Sequence, residues 1–291
     1  MSDIIKNIKN LRETTGAGFL DCKIALENNN NEIEKSIDYL RKKGLAKATK
    51  KLLRTANEGA VGVFISPDKT LLIEINTETD FAAKNEIFLS FIEQIASYAL
   101  QIENGNEIDI NKFINTEFEN KKISEYFMDI IAKIGENIIL KRLKILNEGP
   151  KTKIFTYTHN PYKENIGKIC VALKTEIDTQ DENIFRLGKN LCMHIAALNP
   201  LSIDIDDLDE NLITKEKEIQ LESIKSSGKP DNIIEKILEG KMKKFFSEVT
   251  LLNQKFILDE EKTVKDVILE FNSKNGNFKI IDYSLFILGS Q

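Results

Sequence analysis

Glu74-Ile75-Asn76-Thr77-Glu78-Thr79-Asp80-Phe81-Ala82-Ala83-Lys84 marks the point where the chain changes from a strand period to a helical one. Upstream, Leu71, Leu72, Ile73 and Ile75 make an apolar run of strand length. Downstream, Phe88, Phe91, Ile92, Ile95 and Ala99 recur at steps of three and four, the stripe of an amphipathic helix. Thr77 and Thr79 suit helix caps, and Asp80 in the first turn suits the positive end of the helix dipole. The spacing predicts one long helix from Asp80. Phe81 lies seven residues before Phe88, so a continuous helix turns it toward the same face as a first core residue; buried aromatics are the rule. Its neighbours three and four positions on, Lys84 and Asn85, are polar, and an aromatic so placed can instead project from the helix tip. The residues themselves leave both readings open.

Working outward, Val61, Val63 and Ile65 form a strand face, Pro67-Asp68 a turn, and Thr70 to Asn76 the returning strand. Beyond the helix, Ile123, Phe127, Ile130, Ile131 and Ile134 predict another helix ending at Gly135. Strands are expected over 138–146, 153–158 and 166–173, then a helix over 184–197 closed by Asn199-Pro200. Strands followed by a helix thus occur twice, which gives an α+β fold with two subdomains and antiparallel sheets. Before them, residues 1–53 predict three short helices: one from Asp3 to Gly16, one over 19–26, and one after the Asn28–Asn31 turn that stops at Gly44. Residues 209–249 predict a helical hairpin bent at Gly228-Lys229-Pro230. Its first arm is dense in charge and its second carries Ile233, Ile234, Ile237, Leu238 and Met242. Such a pair either protrudes as a short coiled coil or packs on the core. A helix over 263–271 and a strand over 278–288 close the chain. The expected parts are 1–53, 54–148, 149–208 with 250–291, and 209–249.

The 291 residues carry 41 basic and 46 acidic side chains, a net charge of −5, which argues against wholesale nucleic-acid binding. No apolar run reaches membrane-spanning length, and the Met-Ser-Asp start does not read as a secretory signal. Cys22, Cys170 and Cys192 are odd in number and scattered, which fits small buried hydrophobes in a reducing cytoplasm better than a disulfide framework. Seven basic and no acidic residues fall between Arg41 and Arg54; this is a solvated helical linker or, alternatively, the phosphate-contacting patch of an RNA-associated module. No phosphate-binding loop motif occurs, and Cys192-x-His194 lacks a second ligand pair, so neither a cofactor nor a metal is expected. His194 lies in an apolar helix and reads as a hydrogen-bonded core residue, whereas His159 near a strand end can reach a partner. Nothing in this inventory predicts an enzyme.

The stretch from Glu74 to Lys84 resembles the second signature of bacterial elongation factor Ts, the nucleotide-exchange factor of the GTPase elongation factor Tu. Ala82 stands where that family usually has Val, beside an intact Asp80-Phe81 pair. Leu11 to Leu26 is similar to the first signature, which implies that residues 1–53 form a ubiquitin-associated-like domain docking on the partner through Arg12, Gly16, Gly18, Phe19 and Leu20. Lys133-Ile134-Gly135-Glu136-Asn137, Tyr157-Thr158-His159 and Glu239 to Phe245 also resemble family motifs. The resemblance implies an exchange factor for elongation factor Tu, GDP-bound and nucleotide-free. In it Asp80 and Phe81, flanked by Thr79 and Lys84, insert near the partner's magnesium and phosphates. It also implies core contacts from Ile134, Gly135 and His159, and a hairpin that reaches a second partner or a second copy in a homodimer. No membrane and no direct nucleic-acid contact are expected. Family members often continue into a terminal helix that grips the partner; that contact is not expected from the residues up to Gln291.

Overall fold

In the computed structural model, which describes residues 2–15, 17–102, 108–178, 181–225 and 230–290, the chain begins with α1 (Ser2–Thr15), α2 (Phe19–Asn28) and α3 (Ile33–Lys51). Ile8, Leu11, Cys22, Ala25, Leu26 and Leu40 close a small core between them. Asn30 and Asn31 adopt φ angles of 52° and 64°, a left-handed conformation that Asn tolerates better than most residues, so the asparagine run reverses the chain. It does not cap α3, which is preceded by Glu32 without a side-chain cap bond. Nor does Gly44 stop α3, contrary to expectation. A Cβ at Gly44 would lie 3.1 Å from the Cβ of Ala132, so this glycine serves a close helix–helix approach. Ala48, one turn on, is already buried in the next core.

That core belongs to a sheet. β1 (Glu58–Ile65) and β2 (Lys69–Thr77) form the antiparallel hairpin, with Glu58 opposite Thr77 and Ile65 opposite Thr70. There follow α4 (Asp80–Ala83), α5 (Glu86–Ile102), α6 (Ile110–Asn115), the two-residue strands β3 (Glu117–Phe118) and β4 (Lys121–Lys122), α7 (Ile123–Ile134) and β5 (Ile139–Asn147). β5 pairs antiparallel with β2. The single long helix expected from Asp80 is therefore broken. Asn85 accepts the Ile87 amide on its Oδ1 at 2.9 Å and the Leu89 amide on its carbonyl at 3.0 Å, which starts α5 afresh. The helical phase between Phe81 and Phe88 is lost at that cap. Leu71, Ile73 and Ile75 of β2 pack with Phe88, Ile92 and Ile95 of α5 and with Phe127 and Ile131 of α7.

The strand expected over 166–173 is two strands. After β6 (Thr152–His159), β7 (Ile166–Gly167) pairs with Val61 and Gly62 of β1, giving the sheet order β5-β2-β1-β7; β8 (Ile169–Ile177) joins another sheet. By contacts, residues 1–147, 160–169 and 286–291 form one unit, and 148–159 with 170–285 another. The second unit holds β6, β8, α8 (Glu182–Leu198), α9 (Glu210–Lys225), α10 (Asp231–Val249), β9 (Lys255–Phe256), β10 (Asp259–Thr263), α11 (Val264–Asn275) and most of β11 (Phe278–Ile287). Its sheet runs β11-β8-β6, and Val171, Leu173, Ile184, Leu191, Ile195 and Phe278 lead its core. α8 opens on Asp181, whose carboxylate accepts the Ile184 amide at 3.0 Å, and closes on Asn199 at φ 46°. The α9–α10 hairpin has an apolar cluster of its own, Ile224, Ile234, Leu238 and Met242. Its expected bend lies largely outside the described residues, of which Pro230 directly precedes α10. The whole is α+β, with antiparallel sheets and a helical N-terminal module.

The first unit is sealed by a buried charge. Glu74, fully buried on β2, receives the Nε of Arg142 at 2.7 Å and the amide of Gly289 at 3.1 Å. Arg142 also donates to the Ile287 carbonyl at 2.9 Å and lies 4.4 Å from the Phe286 ring. A carboxylate taken out of water this completely requires such partners.

Candidate partner-binding site

Phe81 is 84% exposed, so its ring is not a core residue. It rides on α4, a single helical turn between the end of β2 and the cap of α5. Ala82 and Ala83, the next two residues, are buried and pin that turn to the sheet. Thr79 caps it: its Oγ1 accepts the Ala82 amide at 3.2 Å. Asp80, half-buried, meets the Lys84 ammonium at 3.2 Å, and Lys84 lies 5.9 Å from the Tyr162 ring. The result is an exposed phenyl ring flanked by one carboxylate and one ammonium.

A four-residue helix cannot hold itself, because helix nucleation is unfavourable. What holds this one is Glu136, just past α7. Gly135 ends that helix at φ 92°, a conformation glycine adopts without strain, and its carbonyl accepts the Lys51 ammonium. The Glu136 carboxylate then accepts from the Thr77 hydroxyl (2.9 Å), the Glu78 amide (3.1 Å), the Thr79 amide (3.0 Å) and the Thr79 hydroxyl (2.7 Å). Burial alone would raise its pKa, but the hydrogen bonds from Thr79, Thr77 and the two amides outweigh it and hold the carboxyl below its ordinary value. Glu78 accepts the Asn137 amide at 2.7 Å and pairs with Arg54 at 3.4 Å, while Asn137 donates to the Arg54 carbonyl at 2.6 Å. The geometry thus brings Thr79, Asp80, Phe81 and Lys84 together with Ile134 and Gly135, the latter two half-buried. Sequence reading missed Glu136, Asn137, Glu78 and Arg54 as parts of this site. The only signal was the position of Glu136 and Asn137 within a family motif, since nothing in spacing links residue 136 to residue 79.

On the helical module, Arg12, Gly18, Phe19 and Leu20 are exposed, and Gly16 lies outside the described residues. Ile5, Ile8, Arg12, Ala17 and Phe19 line one shallow depression, with Ile4 and Leu20 also exposed. The basic 41–54 segment is the second half of α3 and its exit. Lys43 pairs with Asp21 at 3.0 Å, and Lys51 and Arg54 have the partners named above. In the second unit, His159 is exposed with its Nδ1 3.0 Å from the Tyr157 hydroxyl. His194 is buried, and so are the thiols of Cys22, Cys170 and Cys192. Burial pushes the Cys192 thiol pKa up. Among the described residues no helix is long and apolar enough to cross a membrane, and no cluster of His, Cys, Asp and Glu could hold a metal ion.

A family described as Elongation factor TS matches residues 78–290. An elongation factor Ts of Brucella anthropi is 42% identical over 271 residues, covering 92% of this chain and 87% of the relative. One of Brucella ovis is 39% identical over 285 residues, covering 97% and 91%. The chain belongs to the elongation factor Ts family. The family match opens at Glu78, inside the hydrogen-bonded loop that carries Phe81, and runs through both units. Membership of that family makes the chain a factor of translation elongation.

Proposed function

We propose that this chain is a guanine-nucleotide exchange factor for elongation factor Tu that works by contact alone, with Phe81 as its wedge. The observation that carries the reading is an almost fully exposed phenyl ring on a turn locked to the scaffold by the Glu136 carboxylate. A soluble surface exposes single apolar residues freely, but it has no need to fix one this firmly. On this reading Phe81 inserts between helices of the GTPase near the nucleotide, and Asp80 makes a polar contact beside it. The displacement disturbs the partner's magnesium ion and phosphate-binding loop. Magnesium bridges phosphate oxygens, so moving it removes the largest local charge holding GDP. Reciprocity follows: a factor that loosens GDP is itself loosened by GDP to the same degree, and GTP then releases it.

Burying one phenyl ring yields only about 1.5–3 kcal/mol, so the wedge cannot supply the affinity. That falls to larger surfaces, of which the exposed Arg12, Phe19 and Leu20 on the helical module are one, and Ile134, Gly135 and His159 are further candidate contacts. The α9–α10 hairpin is left for a second contact, with the GTPase or with another copy of this chain. The test is release of fluorescent GDP from purified elongation factor Tu. Phe81→Ala should keep association within about fivefold of wild type while slowing release at saturating factor about a hundredfold. An unimpaired release rate discards the wedge.

A further inference from the structure

We propose that Glu136 is the positioning residue of the wedge: it fixes the loop beneath Asp80 and Phe81 and thereby sets the exchange rate without contributing to affinity. This rests on the reading of Phe81 as the wedge. Four donors converge on one carboxylate, three of them on Oε2 (the Thr77 hydroxyl and the amides of Glu78 and Thr79) and the Thr79 hydroxyl on Oε1. Thr79 is the pivot. Its hydroxyl gives its proton to Glu136 and accepts the Ala82 amide, so the orientation of α4 is set through a single oxygen. Without the carboxylate, two backbone amides and two hydroxyls lose their acceptor together, and among the described residues no other acceptor takes its place. The chain from Thr77 to Asp80 then has to find water or another conformation.

A loosened wedge still presents an apolar ring, and the ring can still be buried on association. What it loses is a fixed direction. Displacing a neighbour's helices requires a group already held in position, because freedom in the wedge absorbs the displacement before the partner does. Loss of Glu136 therefore separates rate from affinity, whereas a residue important only for folding would lower both.

The experiment compares Glu136→Ala, Glu136→Gln and Phe81→Ala, measuring the dissociation constant for elongation factor Tu and the GDP release rate at saturating factor. Glu136→Ala should slow saturated release about tenfold or more while shifting the dissociation constant less than about threefold. Glu136→Gln should retain the rate within about threefold, since its amide oxygen can accept at the Oε2 position and its NH2 can donate to the Thr79 hydroxyl. In the free protein, hydrogen exchange at the Glu78 and Thr79 amides should quicken in Glu136→Ala and stay slow in Glu136→Gln. Wild-type release by Glu136→Ala, with Phe81→Ala impaired, overturns the positioning role and leaves the wedge standing. Wild-type release by Phe81→Ala overturns the wedge instead. Equal losses of rate and affinity in Glu136→Ala assign a general structural role and also overturn the proposal. Should Glu136→Ala fail to fold, Glu136→Asp, one methylene short of the four donors, carries the same expectation.

Discussion

His194 and Phe81 are both rings on helical segments, and their hydrogen-bonding surroundings give them opposite fates. His194 is buried on α8 with Nε2 3.0 Å from the Gln254 Oε1. The Gln254 amide nitrogen donates to the Glu248 carbonyl at 2.8 Å, so its oxygen faces the ring and Nε2 carries the proton. Nδ1 accepts the Ile257 amide at 3.3 Å. The site is thus built for neutral imidazole. Burial lowers its pKa below the ordinary 6.5, against a smaller upward pull from Gln254. The unfolded chain binds the extra proton first as the pH falls, so the stability present above pH 6.5 is lost on passing from that value down through the folded pKa. Urea unfolding of the wild type between about pH 7 and pH 5 should show this decline, and His194→Gln should lack that part of it. The role of His194 was legible, because a lone histidine on an apolar helix has few alternatives. Phe81 was not settled by its own neighbours, because the answer lay in Asn85: as a polar residue after Lys84 it looks like an ordinary helix surface position, yet it caps α5.

At the scale of elements, Gly44 and the stretch from Ile166 to Leu173 show what periodicity cannot register. A glycine late in a helical pattern reads as a stop, and only the partner helix explains why this one is a contact. α3 continues because its exposed turns are rich in Lys and Ala, good helix formers, and Gly44 lets α7 come in close, a Cβ at that position lying 3.1 Å from the Cβ of Ala132. Gly44→Leu should therefore destabilise the protein by about 1–3 kcal/mol through overpacking, despite the better helix propensity, measurable as a lower urea midpoint with an unchanged slope. Likewise Ile166 to Leu173 has one strand-like pattern, but its first two residues pair with β1 and the rest join another sheet. Alternation reports which residues are buried. It does not report against what. The same limit hid Glu136, whose four donors come from residues 57 to 59 positions away in the chain.

Over the whole molecule, the helical module and the longer strands and helices were legible because long amphipathic patterns mark them, whereas the short α6, β3, β4, β9 and β10 carry no such pattern. By contacts, residues 160–169 and 286–291 group with the first unit although they lie within or beyond the sequence of the second, a grouping on which periodicity along the chain is silent. If affinity and exchange are carried by separate surfaces, removing Phe19 and Leu20 together should act on one alone. Phe19→Ala with Leu20→Ala should weaken association with elongation factor Tu about tenfold or more and leave the saturated GDP release rate unchanged. A titration of release rate against factor concentration reads both at once, and a fall in the plateau would count against the division of labour.

The seal around Glu74 bears on how such a chain comes to exist. A ribosome delivers residues in order, and 286–290 follow nearly everything else described. Before they emerge, Glu74 lacks the Gly289 amide, Arg142 lacks the Ile287 carbonyl, and the Phe286 ring has yet to cover the guanidinium. Domains generally mature from the N-terminus as synthesis proceeds. Here the partners of Glu74 are not all in place until residues 286–290 have been added, after the whole of the second unit, so a nascent copy holds this buried carboxylate and the Arg142 guanidinium incompletely matched while the second unit is being made.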